Sequence, residues 1–158
     1  MSQSTDGHIC FGILLEEGAG PFPWDEDDEY GYGDIEEWWR KINGYKPPFE
    51  IWEEHVAEYL PGVTLEMKDE YYNHRRDWKK VNPVPVELVN YCSCDYPMYI
   101  IALSETCKNA NRGYPEAFEP NDLVVSAERA MELVNFCKKY GIDMGEEYPR
   151  WWLSSYWG

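Results

Sequence analysis

Positive charge is what this sequence most lacks. Fourteen Lys and Arg stand against thirty Asp and Glu, for a formal net charge of −16. Nucleic-acid backbones are held by Lys and Arg, so direct DNA or RNA binding is not the expected role. An anionic membrane surface would repel the chain for the same reason. Long apolar runs are missing too: none approaches the ~20 residues of a membrane span. Met1–Gly7 is polar and Ile9–Leu15 is too short for a secretory core. The expectation is therefore a cytoplasmic protein. Its five cysteines, Cys10, Cys92, Cys94, Cys107 and Cys137, are odd in number and read as reduced thiols. No phosphate loop, dinucleotide fingerprint, nucleophile elbow or zinc-protease motif occurs. No cofactor and no metal are expected, and a non-enzyme is favoured over an enzyme.

Aromatic residues are plentiful. They form 16% of the chain, with eight Trp and thirteen Tyr, which argues against the disorder that high charge can otherwise signal. At 158 residues the chain is of one-domain size and can bury roughly 70% of its unfolded surface without a metal or disulfide. The charge is uneven: residues 1–60 hold fifteen acids and three bases, residues 61–80 four and five, and residues 81–158 eleven and six.

Apolar patterning predicts a strand over His8–Leu15. Residues 16–33 change character to Gly, Pro and acids, and read as a long loop of the functional or mobile kind. A helix follows over Asp34–Asn43, with Ile35, Trp38, Trp39 and Ile42 on one face and Gly44 as its stop. Glu36 with Arg40, and Glu37 with Lys41, are favourably ordered i,i+4 pairs. Further helices are predicted over Pro48–Leu60 and Lys68–Lys80. Strands are predicted over Val86–Tyr91 and Met98–Leu103, joined by a turn at Cys94–Pro97. A polar loop covers Ser104–Pro120, and a short strand is placed at Leu123–Val125. Ser126 caps a helix to Tyr140 that ends at Gly141, and Arg150–Trp157 is a final strand packed on both faces. The class is α+β: a single domain with a mixed or antiparallel sheet covered by about three to four helices.

Four constellations bear on function. Glu50, Glu54 and Glu58 recur at i, i+4, i+8, a like-charge stripe that costs a helix roughly 0.2–0.5 kcal/mol per pair. Successive carboxylates lie about 6 Å apart along the axis, a spacing that could imitate a phosphate backbone; an ordinary solvated face is the alternative. Trp24, Asp25, Asp27, Asp28, Glu29 and Tyr30 place aromatics among acids in a loop with no core periodicity. That combination supplies anchors and electrostatic steering in protein interfaces. Asp25, Asp27, Glu29 and Glu36 resemble calcium-loop spacing, but Tyr30 stands where such a loop needs Gly, so solvated acids are the better reading. Cys94, Asp95, Lys108 and Arg112 form an alternative ligand site, with Cys92 and Tyr114 beside them. The C-x-C pair lacks the second pair that structural zinc prefers. Arg75, Arg76, Lys79 and Lys80, interleaved with Tyr71, Tyr72 and Trp78, are expected to dock on the protein's own acids or on a second copy.

In size, charge and aromatic content the chain resembles the small acidic anti-restriction and anti-CRISPR inhibitors of phages and mobile elements. That likeness implies a basic partner, such as a nucleic-acid-binding enzyme, blocked by mimicry. The expected function is a non-enzymatic acidic binding protein. A small enzyme or ligand-binding domain and a self-associating assembly subunit are the alternatives.

Overall fold

The computed structural model describes residues 5–25, 33–49, 63–93 and 97–157, with backbone alone at Thr5, Ser93, Pro97, Tyr156 and Trp157. Two compact units emerge, Met1–Ile35 with Pro85–Gly158, and Glu36–Val84. The first holds all five described strands: β1 (Thr5–Leu14), β2 (Val86–Ser93), β3 (Pro97–Leu103), β4 (Lys108–Ala110) and β5 (Arg150–Trp157). It also holds the helix α3 (Ala127–Tyr140).

The strand order is β3-β2-β5-β1-β4, and β3 pairs back onto β1. Pairing is antiparallel except between β2 and β5, which run parallel at Cys92↔Tyr156 and Ser93↔Trp157. The long β1 makes this closure possible. One of its edges pairs with β5 from Thr5 to Gly12. Its other edge takes β4 at Gly7–Ile9 and β3 at Gly12–Leu14. The Leu15 amide donating to the Tyr99 carbonyl at 3.0 Å extends that last ladder by one step. Gly12 sits where the ladders meet. A Cβ there would lie 2.5 Å from the Ile101 carbonyl oxygen and 2.8 Å from Ile100 Cγ2, so only glycine admits the approach of β3.

Alternation sorts the strand side chains onto two faces. Cys10, Val89, Ile100 and Ala102 pack together on one, with Leu14, Tyr91, Cys107 and Trp152 against them. Val86, Ile13, Ile101 and Leu103, of opposite parity, are buried on the other. A strand with apolar residues on both faces reads as a continuous run, which is why β1 and β3 were visible in the sequence. The Trp152 indole donates to the Gly12 carbonyl at 3.0 Å, and the Trp151 indole to the Leu123 carbonyl at 2.9 Å. α3 begins at Ser126, whose hydroxyl accepts from the Arg129 amide, and ends at Gly141 in the left-handed region (φ 71°). Leu133, Phe136 and Cys137 form its buried stripe.

In the second unit, α1 (Ile35–Ile42) is followed by a loop and α2 (Leu65–Val81). Thr64 caps α2 by accepting from the Met67 amide. Tyr71 is its buried anchor, packed by Phe49, Val63 and Met67. Tyr45 organises the space around α2. It stacks at an angle on His74, meets Trp78 edge-on at 5.3 Å, and lies under the Arg40 guanidinium at 6.0 Å. The Trp39 indole donates to the Asn82 carbonyl at 3.2 Å.

Several expectations need correction. The segment at Leu123–Val125 is no strand: a 3-10 turn covers Pro120–Leu123, held by reciprocal Glu119 and Asp122 caps, and Val124 is exposed. The polar loop Ser104–Pro120 contains β4, which its composition hides because all three residues are poor strand formers. α2 begins at Leu65 rather than Lys68, since its cap is Thr64. β5 is not packed on both faces along its length, as Leu153 is 83% exposed. On α1 the buried residue is Arg40, while Ile42 is exposed: the aromatic loop after the helix takes the cation. Glu36 also meets Lys79 of α2. Past Pro48 and Phe49, the helix expected over Pro48–Leu60 lies outside the described residues.

Candidate functional site

Two concavities in the first unit are the candidates. The first is a cleft of about 250 Å³ lined by Glu16, Glu17, Phe22 and Asp143, together with residues 18–21 and 141–142. It forms where the chain leaving β1 meets the end of α3. The Ala19 amide donates to the Glu16 carbonyl, closing a turn that presents both glutamates to solvent. On the opposite wall, Asp143 accepts from the Gly145 amide at 2.9 Å. The carbonyl-bearing end of α3 adds negative potential. Three exposed carboxylates beside the apolar Ala19, Pro21 and Phe22 can accept a cationic side chain. Among the described residues, no group of three or more His, Cys, Asp or Glu is arranged to hold a metal ion.

The floor of this cleft corrects one expectation. Trp24 is 5% exposed and stacks on Phe22 at 5.1 Å, with Tyr99 meeting Phe22 edge-on. It is therefore core rather than an exposed anchor: Phe22, itself packed on Tyr99 of β3, gives it an apolar environment that loop composition could not signal. Asp25 is half-buried, and its carboxylate accepts from the Phe22 amide at 2.7 Å, so it fastens the same turn. Asp27, Asp28, Glu29 and Tyr30 of the loop, and Glu50, Glu54 and Glu58 of the stripe, lie outside the described residues.

The second concavity, of about 800 Å³, opens on the face that carries Cys10 and Val89. Leu14, Tyr91, Cys92, Ile100, Trp152 and Ser154 line it. Cys92 is exposed and adopts φ 78°, a left-handed conformation unusual for any residue but Gly, Asn or Asp. The Tyr91 phenol is pushed up, first by burial and then by Cys92 beside it. The Ser154 hydroxyl is buried without a hydrogen-bond partner.

The alternative ligand site is only partly drawn together. Cys94 and Asp95 lie outside the described residues. Lys108 pairs with Asp122 at 2.9 Å, and that contact holds the Asp122 carboxyl below the usual range. Arg112 is exposed, and its backbone amide donates to the Asp6 carboxylate. Cys92 pairs with Tyr156, and Tyr156 with Asp6, so Cys92 and Asp6 are two strand spacings apart, about 10 Å. Nor do the described histidines reach a thiol in their hydrogen bonds: His8 meets Asn109 and His74 meets Tyr45. In the basic stretch, Lys79 sits on Glu36, and Lys80 and Arg76 on Asp77.

Sequence reasoning missed the union of Glu16 and Glu17 with Asp143, because no local signal links positions so far apart. Comparison of the chain with family models, with curated proteins and with solved structures finds no match.

Proposed function

We propose that this protein is a non-enzymatic acidic binding protein that engages a basic surface of another protein. The observation that carries the reading is the cleft of Glu16, Glu17 and Asp143 on a chain of net charge −16. Its volume of about 250 Å³ falls below the roughly 300–1,000 Å³ of pockets for drug-sized ligands. A Lys or Arg side chain is the better fit. Its stem would lie on Phe22 and its head among carboxylates, as amphipathic cations favour. The acidic loop and the Glu50, Glu54, Glu58 stripe extend the same logic along the chain. The finer proposal is that they imitate nucleic acid toward a nucleic-acid-binding enzyme, as an anti-defence inhibitor would.

The test starts with capture from the source cell's lysate at low salt, after which the candidate basic partner is purified and the complex reconstituted. Converting Glu16, Glu17 and Asp143 to amides should weaken binding about 3- to 10-fold, at roughly 0.2–0.5 kcal/mol for each exposed charge. It should also flatten the salt dependence. The same treatment of Glu50, Glu54 and Glu58 tests the stripe. Affinity that is unchanged by either triple and insensitive to salt would overturn the reading.

A second reading, a small-ligand binding domain, is favoured by the 800 Å³ concavity and the unpartnered Ser154 hydroxyl. Aromatic alcohols titrated against tryptophan fluorescence would test it, with Trp152 as the reporter. Saturation lost in Ser154→Ala supports this reading, and no saturation at any concentration removes it.

A further inference from the structure

We propose that Cys10 and Cys107 are a disulfide-forming pair, the site at which a peroxide-class oxidant reversibly modifies this protein. The argument begins with register. β1 and β4 pair antiparallel as Gly7↔Ala110, His8↔Asn109 and Ile9↔Lys108, so the next step sets Cys10 opposite Cys107. Cys107 is extended (φ −75°, ψ 123°), continuing the strand direction. One residue further, the Phe11 amide donates to the Thr106 hydroxyl at 3.0 Å, which holds the two chains side by side past the end of the ladder. Residues directly opposed on antiparallel strands have Cα atoms about 4.5 or 5.5 Å apart. Both separations fall within the roughly 4.4–6.8 Å that a disulfide spans. The side chains share a face, since Cys107 packs against the cluster that contains Cys10.

Cys107 packs on the cluster that holds Cys10, and its thiol donates to the Leu103 carbonyl at 3.5 Å. Cys10 is held below its ordinary value because it is hydrogen-bonded to Cys107, against the opposing effects of burial and of Glu87. Cys107 moves up through the same bond, through burial and through the Glu87 carboxylate.

The Cys10 thiolate attacks one peroxide oxygen and the O–O bond breaks. The departing hydroxide takes up the proton that Cys10 lost, giving water and a sulfenic acid on Cys10. The Cys107 sulfur then attacks the Cys10 sulfur and the S–O bond breaks. The second hydroxide leaves with the Cys107 proton as water. Two thiols have lost two electrons to one peroxide. Cys10 is 1% exposed, so the oxidant enters when β4, only three residues long and last in the strand order, opens locally. Cys137, also fully buried, lies on a helix capped at both ends.

The experiment treats the full chain with hydrogen peroxide near equimolar concentration, blocks remaining thiols with iodoacetamide, and maps the digest by mass spectrometry. The expected product is a Cys10–Cys107 linked peptide that dithiothreitol returns to two thiols, and that also forms in the Cys92→Ser/Cys94→Ser variant. Exposed Cys92 in the wild-type chain reports that oxidant was active. Recovery of Cys10 and Cys107 as alkylated thiols while Cys92 is oxidised overturns the proposal. So does linkage of either residue to another cysteine in place of the pair.

Discussion

Gly12→Ala is the sharpest test of the closed sheet, because one methyl group lands on the seam. The added Cβ would stand 2.5 Å from the Ile101 carbonyl oxygen, 2.8 Å from Ile100 Cγ2 and 2.9 Å from Ala102 Cα. Two of these three neighbours are backbone, which cannot swing aside as a side-chain tip can. Restoring ordinary separations near 3.5 Å requires β1 and β3 to part by about 1 Å. Hydrogen bonds of about 2.9 Å stretched by that distance cease to be hydrogen bonds. The ladder Gly12↔Ala102, Ile13↔Ile101, Leu14↔Ile100 is short, so no second stretch of β1–β3 pairing compensates. Loss of two such bonds at about 1 kcal/mol each, with overpacking of about 1–3 kcal/mol, outweighs the roughly 0.4–1 kcal/mol gained by stiffening the unfolded chain. The expected net loss is about 3 kcal/mol. In urea, followed by tryptophan fluorescence, that is a midpoint about 1–3 M lower at ordinary slopes of about 1–3 kcal/mol per M. Gly7→Ala is the matched control on the same strand: among the described residues its Cβ would meet only Ala110 Cβ, at 3.9 Å. It should change stability by no more than about 0.5 kcal/mol in either direction. If Gly12→Ala costs less than about 1 kcal/mol, or no more than Gly7→Ala, the closure of β3 onto β1 is refuted.

Three further outcomes are expected. Ser126→Ala removes the acceptor for the Arg129 amide and should cost about 1 kcal/mol in the same urea assay. Leu133→Ala, at a position with no exposed surface on α3, should cost about 2–5 kcal/mol. Cys137 gives a pH signature: burial pushes its thiol from an ordinary 9.0 up to about 11. The folded state favours the neutral form, so this contribution is complete below pH 9 and is lost as pH rises toward 11. The effect is about 2–3 kcal/mol, read as the difference in alkaline stability slope between wild type and Cys137→Ala. An equal slope in both would reject it.

What could be read in the sequence follows from the range of the interaction that sets each feature. α3 was legible because its cap, stripe and stop are Ser126, Leu133 with Cys137, and Gly141, all within the helix or adjoining it. β2, β3 and β5 were legible from apolar density. β4 was not, because Lys108, Asn109 and Ala110 become a strand only through the β1 edge beside them. Trp24 failed in the opposite direction. Its neighbours in sequence are prolines and acids, whereas its neighbours in space are Phe22 and the turn that Asp25 fastens. The cleft of Glu16, Glu17 and Asp143 is non-local in the same sense: its first wall lies in the segment that reads as acidic loop, and its second sits past the far end of α3.

The charge pattern itself carries the last step. None of the described acids is buried, and those with resolved shifts, Asp77 and Asp122, are lowered chiefly by hydrogen bonds to Lys80 and Lys108. Several bases on the described surface are also engaged with neighbouring acids: Lys79 with Glu36, Arg129 with Glu105 and Glu132, Arg150 with Glu147. With more than two acids for every base, such pairing exhausts the cations long before the carboxylates. Exposed pairs of this kind contribute about 0–1 kcal/mol each to stability. The unspent negative charge is a standing cost in self-repulsion, relieved by counterions or by a basic surface brought close. Raising salt should therefore stabilise the isolated protein while weakening its hold on a basic partner, two opposite responses to the same screening of one set of carboxylates.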